Sequence, residues 1–304
     1  GRRRGHEIRG FRRSTVEYRP IGDGEAEVTL AVIEHPVTER AERLIVEGAV
    51  RALGQDEARL IITSPLGLGD QWTLGWRWSE TRYRVGGRAA FPFHSTVVTV
   101  ESAWERFRIG LDSAGGDVLE DSRRSTGLEV AKWHTFNARP AIALRLDRWS
   151  GGRDYLAVSA GGEWLGASDR FTLQVGAERG FAVTDQPSYM KGGVSARWIS
   201  SIDTRDPNWS ARLGVDAVSS GAPVGAWPVT GGNKAWAIPL RAQSVNVGGR
   251  LPGRRIGRTV VHAGLAADQP IAPVGIFVLA AGVFVDGARV MQSLDPVVRS
   301  RTYL

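Results

Sequence analysis

Along residues 70–80, DQWTLGWRWSE, apolar and polar side chains alternate one by one. Trp72, Leu74, Trp76 and Trp78 fall on one parity; Gln71, Thr73, Gly75, Arg77 and Ser79 fall on the other. A period of two puts successive side chains on opposite faces of an extended chain, so this stretch predicts a β-strand with one aromatic and one polar face. From residue 57 onward the pattern keeps recurring. It predicts strands over 57–65, 70–80, 82–93, 95–107, 120–136, 140–149, 154–164, 170–178, 192–200, 209–218, 234–242, 259–268 and 275–290. Turns rich in Gly, Pro, Asp and Ser separate them, and no stretch among them carries a helical period. The fold class is therefore all-β and antiparallel.

The first 36 residues read differently. STVEYRPIGDGEAEVTLAVIEHP predicts a hairpin with strands over 14–20 and 25–34 and a turn at Ile21-Gly22-Asp23-Gly24. Asp-Gly is a strong signal for a tight hairpin turn because both residues tolerate positive φ. Residues 37–56 are mixed, a linker with room for one further strand.

The two strand faces hold different chemistry. One carries Trp, Phe, Leu, Val, Ala and Gly. The other repeatedly carries arginine with acids: Arg77 and Arg84, Glu101 and Glu105, Arg145 and Asp147, Arg212 and Asp216. A soluble sandwich would bury the aromatic face under a second sheet. A membrane barrel turns it to lipid and lines a hydrated lumen with charges of both signs. So many strands with so few breaks favour the barrel, as do aromatics near strand ends (Trp72, Trp78, Trp104, Trp149, Trp164, Trp198 and Trp209) that suit interfacial girdles. Trp72, Trp76, Trp78 and Trp104 are expected to face lipid or the girdle, and Arg77 the lumen. The longest apolar run, GIFVLAAGVFV over 275–285, is too short for a membrane helix and long enough for one membrane strand of about 9–11 residues.

Composition removes other classes. Cysteine is absent, so there is no disulfide, thiolate metal site or thiol nucleophile. The net charge of +7 raises nucleic acid as a partner, but the arginines are scattered along the strands instead of clustered, so none is expected. No HExxH, GxSxG, phosphate-binding loop or dinucleotide fingerprint is present, and the five histidines lack metal-ligand spacing. The expectation is a protein that is not an enzyme, with no cofactor and no metal.

The end of the last long strand reads FVDGARV, residues 284–290. This resembles the hallmark of the outer-membrane assembly and secretion barrels, the bacterial surface antigen superfamily that includes the BamA and TamA insertases and the two-partner secretion transporters. The resemblance implies a sixteen-strand barrel preceded by periplasmic POTRA domains, with the aspartate in the thirteenth strand. By the strand count above, 275–290 is also the thirteenth. In that family the loop before the twelfth strand folds into the barrel, and the arginine of its Arg-Gly-aromatic motif pairs with acids on the wall. The corresponding stretch here is SVNVGGRLPGRRIGR, 244–258, with Arg250, Arg254, Arg255 and Arg258. The aromatic is missing, and Gly249-Arg250-Leu251 is the nearest match. The implied pairing is Arg250 or Arg255 with Asp286; the alternative is a turn aspartate among solvated arginines.

The resemblance divides the chain into the C-terminal part of a POTRA-like domain (1–36), a linker or first-strand region (37–56) and a transmembrane antiparallel β-barrel (57–304). About 13 of 16 strands would then be present, a fragment lacking about three; the alternative is a smaller barrel of twelve or fourteen. The implied function is assembly and insertion of outer-membrane proteins, or translocation of polypeptides through the barrel. The location would be the bacterial outer membrane, with the N-terminal segment in the periplasm. The implied partners are outer-membrane lipid, unfolded client polypeptides and periplasmic chaperones. A passive porin-like channel explains a charged lumen equally well, and a soluble β-rich binding module is the third reading.

Overall fold

The structure, a computed structural model, describes residues 11–22, 25–34, 52, 56–111, 118–134, 137–166, 170–201, 206–231, 237–240, 250–274, 277–295 and 300–303. It has two sheets. The first is an antiparallel hairpin of β1 (Phe11–Gly22) and β2 (Glu25–Glu34), with Tyr18 opposite Val28 and Gly22 opposite Glu25. The predicted turn residues Asp23 and Gly24 lie outside the described residues.

The second sheet is a long antiparallel wall. Its strands are β3 (Glu57–Thr63), β4 (Gln71–Trp78), β5 (Arg82–Phe93), β6 (Thr96–Gly110), β7 (Val118–Lys132), β8 (Ala138–Trp149), β9 (Arg153–Leu165), β10 (Phe171–Ala182), β11 (Tyr189–Ile199) and β12 (Asn208–Val218), followed by β14 (Gly257–Val274), β15 (Phe277–Ser293) and β16 (Ser300–Tyr303). Each pairs with the next in chain order, so between the end strands β3 and β16 the backbone polar groups are satisfied strand to strand, as a membrane wall requires. A two-residue strand, β13 (Leu251–Pro252), leaves this path and pairs in parallel with Ile109 and Gly110 of β6.

Two expectations are corrected here. The stretch 234–242 is not a wall strand: β12 pairs directly with β14. Its described residues, 237–240, make only an isolated bridge from Ile238 to Thr230; the rest of the stretch lies outside the described residues. Consequently Asp286 falls on the twelfth described wall strand and not the thirteenth.

The faces are those of an inside-out protein. Ile142, Leu144 and Leu146 of β8 are exposed, as are Leu265 of β14 and Val283 and Val285 of β15, whereas Glu105 and Asp147 are fully buried. Soluble proteins bury the first set and expose the second. Trp72, Trp76, Trp78 and Trp104 all sit on the exposed outer face, and Arg77 between them is buried on the inner one. Trp149 overturns its expectation: it is 4% exposed and packs inward. It shares the parity of Arg145 and Asp147, and it stacks on Phe107 with ring centroids 5.9 Å apart.

One inner joint depends on a glycine. Tyr189 lies flat across its register partner Gly180, where an added Cβ would fall 2.1 Å from Cε1 of the ring. The ring is seated edge-on against Tyr155, 5.0 Å away, and its hydroxyl donates to Glu178 at 2.9 Å. Gly180→Ala is expected to unseat the ring and cost about 1–3 kcal/mol, typical of overpacking. The check is the urea midpoint of unfolding from vesicles, compared with the same substitution made in a Tyr189→Ala background, where the penalty should vanish.

Candidate functional site

The inner face of the wall carries a belt of ion pairs that crosses nine strands. It starts at Glu57 of β3, which accepts from Arg77 of β4 at 2.8 Å and from Arg59. On β6, Glu105 accepts from Arg123 of β7 at 2.6 Å and Arg82 of β5 at 3.3 Å, with Arg84 at 3.6 Å. Arg123 also approaches Asp147 of β8 at 3.9 Å. Arg145 grips Asp147 with two parallel bonds of 2.8 and 2.9 Å and reaches Glu178 of β10 at 3.0 Å. Glu178 closes the row with Lys191 of β11 at 3.1 Å. Because inward residues on adjacent strands meet in register, alternating charge along the row makes each acid a bridge between two cations.

On the next strands the inner polar side chains cross their neighbours at glycines. Asp216 of β12 leans over Gly193, whose added Cβ would lie 2.4 Å from Oδ1. His262 of β14 lies over Gly214 and approaches Asp216 at 3.6 Å. Arg212 of β12 passes over Gly264 of β14 and donates to Asp286 of β15 at 2.8 Å. A side chain at 264 would fill the gap, with Cβ 2.6 Å from Asp286 Oδ1 and 2.7 Å from Arg212 Nε. Glycine leaves the backbone surface bare where this arginine crosses from one strand to the next but one.

The connection between β12 and β14 folds back into the lumen. Val224–Ala226 forms a single 3₁₀ turn whose Gly225 sits where a Cβ would be 2.6 Å from the Trp149 ring. Leu251, 1% exposed, joins Phe107, Ile109, Trp149, Tyr155 and Tyr189 in one apolar cluster with Ala222, Ala237 and Ile256. Gly253 lets the chain turn against β6, its would-be Cβ only 2.8 Å from the Gly110 carbonyl. β6 extends beyond β5, because Arg82, the first residue of β5, pairs with Phe107, and β13 docks at the far end of β6. Arg212 ties the connection to the wall: the same Nη2 that donates to Asp286 also donates to the Pro239 carbonyl at 2.9 Å. Arg82 and Arg123 of the belt stack on Phe107 and Trp149 at 4.9 and 5.3 Å, joining the ionic row to the apolar plug. Between plug and wall lies a cavity of about 900 Å³, bordered by Glu178, Lys191, Asp216 and His262 on one side and Gly225–Val229 and Ala237–Pro239 on the other.

The arginines expected from the loop are placed as follows. Arg250 adjoins β13. Arg254 offers its carbonyl to the Tyr303 hydroxyl at 3.0 Å. Arg255 is buried with its guanidinium 5.4 Å over the Tyr303 ring, and burial pushes its pKa below the ordinary arginine value. Arg258 stacks over Trp227 at 5.2 Å. Arg212 of the wall makes an ion pair with Asp286. Sequence reading put Arg212 on the lumen face but missed this partnership across 74 residues. Gly264, at the register position between Arg212 and Asp286, was the available signal.

An antiparallel wall that turns apolar and aromatic side chains outward around a charged, partly plugged lumen is a transmembrane β-barrel. No family model matches the chain, and no curated protein matches its sequence. Among solved structures it is similar to BamA from Haemophilus ducreyi lacking POTRA domains 1–3, at TM-score 0.55 and 10% identity over 94% of this chain and 64% of that one. It is also similar to CdiB from Escherichia coli, at TM-score 0.53 and 14% identity over 90% of this chain and 56% of that one. The chain thus spans less than two-thirds of the length of either, and at these identities the likeness lies in the fold.

Proposed function

We propose that this protein works in the bacterial outer membrane as a barrel that assembles other outer-membrane proteins or passes polypeptides across the membrane. The observation that carries the reading is the infolded β12–β14 connection, held by the wall pair Arg212–Asp286 inside a barrel of the BamA and CdiB fold. A plug anchored by a buried charge and an apolar cluster is costly in conformational entropy, and it fills lumen that an open, water-filled channel keeps clear. In this reading the partners are outer-membrane lipid and unfolded polypeptide clients delivered by periplasmic chaperones. The hairpin β1–β2 would be the end of a POTRA-like domain on the periplasmic side. The work is done by strand pairing and by plug movement, with no covalent chemistry.

The test reconstitutes the full-length protein in liposomes and follows two readouts: ion conductance, and the rate at which an added unfolded β-barrel protein enters the membrane or a polypeptide crosses it. The expected result is low resting conductance with accelerated insertion or passage. A large, steady conductance with neither activity would favour the porin-like channel and sink the proposal.

A further inference from the structure

We propose that Arg106, Arg124 and Arg148, on the outer face of β6, β7 and β8, form a binding site for the anionic phosphate headgroup of a membrane lipid. The inference rests on the barrel being embedded in a membrane and adds a specific lipid contact to it.

Register places the residues. Across the outer face one row runs Val85, Trp104, Arg124, Arg148 and Asp154 from β5 to β9. The next row toward the barrel middle is Gly87, Ser102, Thr126, Leu146 and Leu156, and the one after it is Ala89, Val100, Leu128, Leu144 and Val158. Arg106 stands one row further out, opposite Tyr83. The arginines therefore sit at the rim of the apolar band, level with Trp104 and, through Val85, with Trp76. Tryptophan at this level marks the headgroup layer. Arginine is tolerated on a lipid-facing strand there and strongly disfavoured at the midplane.

The arginines carry more charge than the neighbouring acids compensate. Arg124 and Arg148 stand directly opposite one another on adjacent strands, an arrangement that repels unless an anion lies between them. Arg148, largely exposed, meets Asp154 only at 4.0 Å. Glu120, the other acid on this face, is engaged by Arg108 at 3.0 Å. Among the described residues, Arg106 and Arg124 have no acidic partner. Between Arg124 and Arg148 the surface is cut by an open cleft of about 410 Å³ lined also by Val85, Trp104, Thr126 and Leu146, and Arg106 stands one row beyond it. Its floor offers the Ser102 and Thr126 hydroxyls, 3.2 Å apart, as further hydrogen-bonding groups. Two guanidinium forks over hydroxyls match the oxygens of a phosphate. Leu146, Leu144 and Leu128 below them match the acyl chains. That graded order, from cation to hydroxyl to leucine, matches a lipid better than a free anion, and basic sites at a membrane surface select anionic lipids.

The experiment places the full-length protein in phosphatidylcholine nanodiscs containing a minority of phosphatidic acid or phosphatidylglycerol, then reads retained lipids by native mass spectrometry. The expected result is at least about fivefold enrichment of the anionic lipid, abolished in Arg124→Gln/Arg148→Gln and unchanged in Arg179→Gln, an outward arginine that instead stacks on Phe181. Insertion without enrichment, or enrichment that survives the double substitution, would overturn the site and leave the barrel reading standing. Failure to insert at all would overturn the barrel reading itself. Displacement of the lipid by millimolar inorganic phosphate would mean a site for a soluble anion and overturn the lipid assignment.

Discussion

Glu105→Ala is expected to destabilise the barrel by about 3–5 kcal/mol, the range for removing one partner from a buried ion pair. Glu105 is fully buried and takes charge from Arg82 and Arg123 directly and from Arg84 nearby. With the carboxylate gone, three guanidiniums would crowd one side of the lumen, while Arg123 would keep Asp147 at 3.9 Å. Arg82 and Arg123 also hold Phe107 and Trp149 under the plug, so the loss should spread from the belt to the apolar cluster. The measurement is the urea midpoint of unfolding from vesicles. Glu105→Gln should retain part of the stability, because the amide oxygen still accepts hydrogen bonds without the charge. An unchanged midpoint in Glu105→Ala would mean that water screens the belt, and its pairs would then contribute as little as surface pairs do.

Asp286→Ala and Arg212→Ala are each expected to release the plug. Arg212 divides one nitrogen between Asp286 and the Pro239 carbonyl, so losing either charged partner weakens the hold on the connection. A coupling energy of about 0.5–3 kcal/mol is typical of contacting residues in one network. Local opening should rise accordingly, about tenfold for each 1.4 kcal/mol lost. The readout is the rate of protease cleavage within the β12–β14 connection in the reconstituted protein, together with its conductance. The double substitution should open the plug little further than either single one. Arg250→Ala and Arg255→Ala decide the partner assignment. If a loop arginine shares Asp286, its alanine variant should approach the effect of Asp286→Ala; with Arg212 as the main partner, Arg212→Ala has the larger effect.

The strands were legible because a period of two needs no tertiary information. β4 carries it over its whole length, β8 through Asp147 and β10 through Glu178, and their faces could be assigned from parity alone. The same rule, applied strictly, would have placed Trp149 inside with Asp147. The run KAWAIPLRA read as a wall strand because its alternation is local. Its described part lies in the lumen, and Pro239, which removes a ladder donor in the middle of the run, was the warning. Losing that strand also moved Asp286 back by one in the count.

Strand periodicity alone identifies a succession of antiparallel strands with an apolar, aromatic face and a face of mixed charge, and an arginine-rich connection before the strand bearing Asp286. Which charges meet, the pairing of Arg212 with Asp286, the packing of Trp149 under a plug and the placement of Arg124 opposite Arg148 on the outer surface all follow from how the strands assemble. Strand period records which side a residue faces. Its partners across the sheet depend on register and strand order, and a bond such as Arg212–Asp286, which skips a strand over Gly264, exists only once three strands lie side by side.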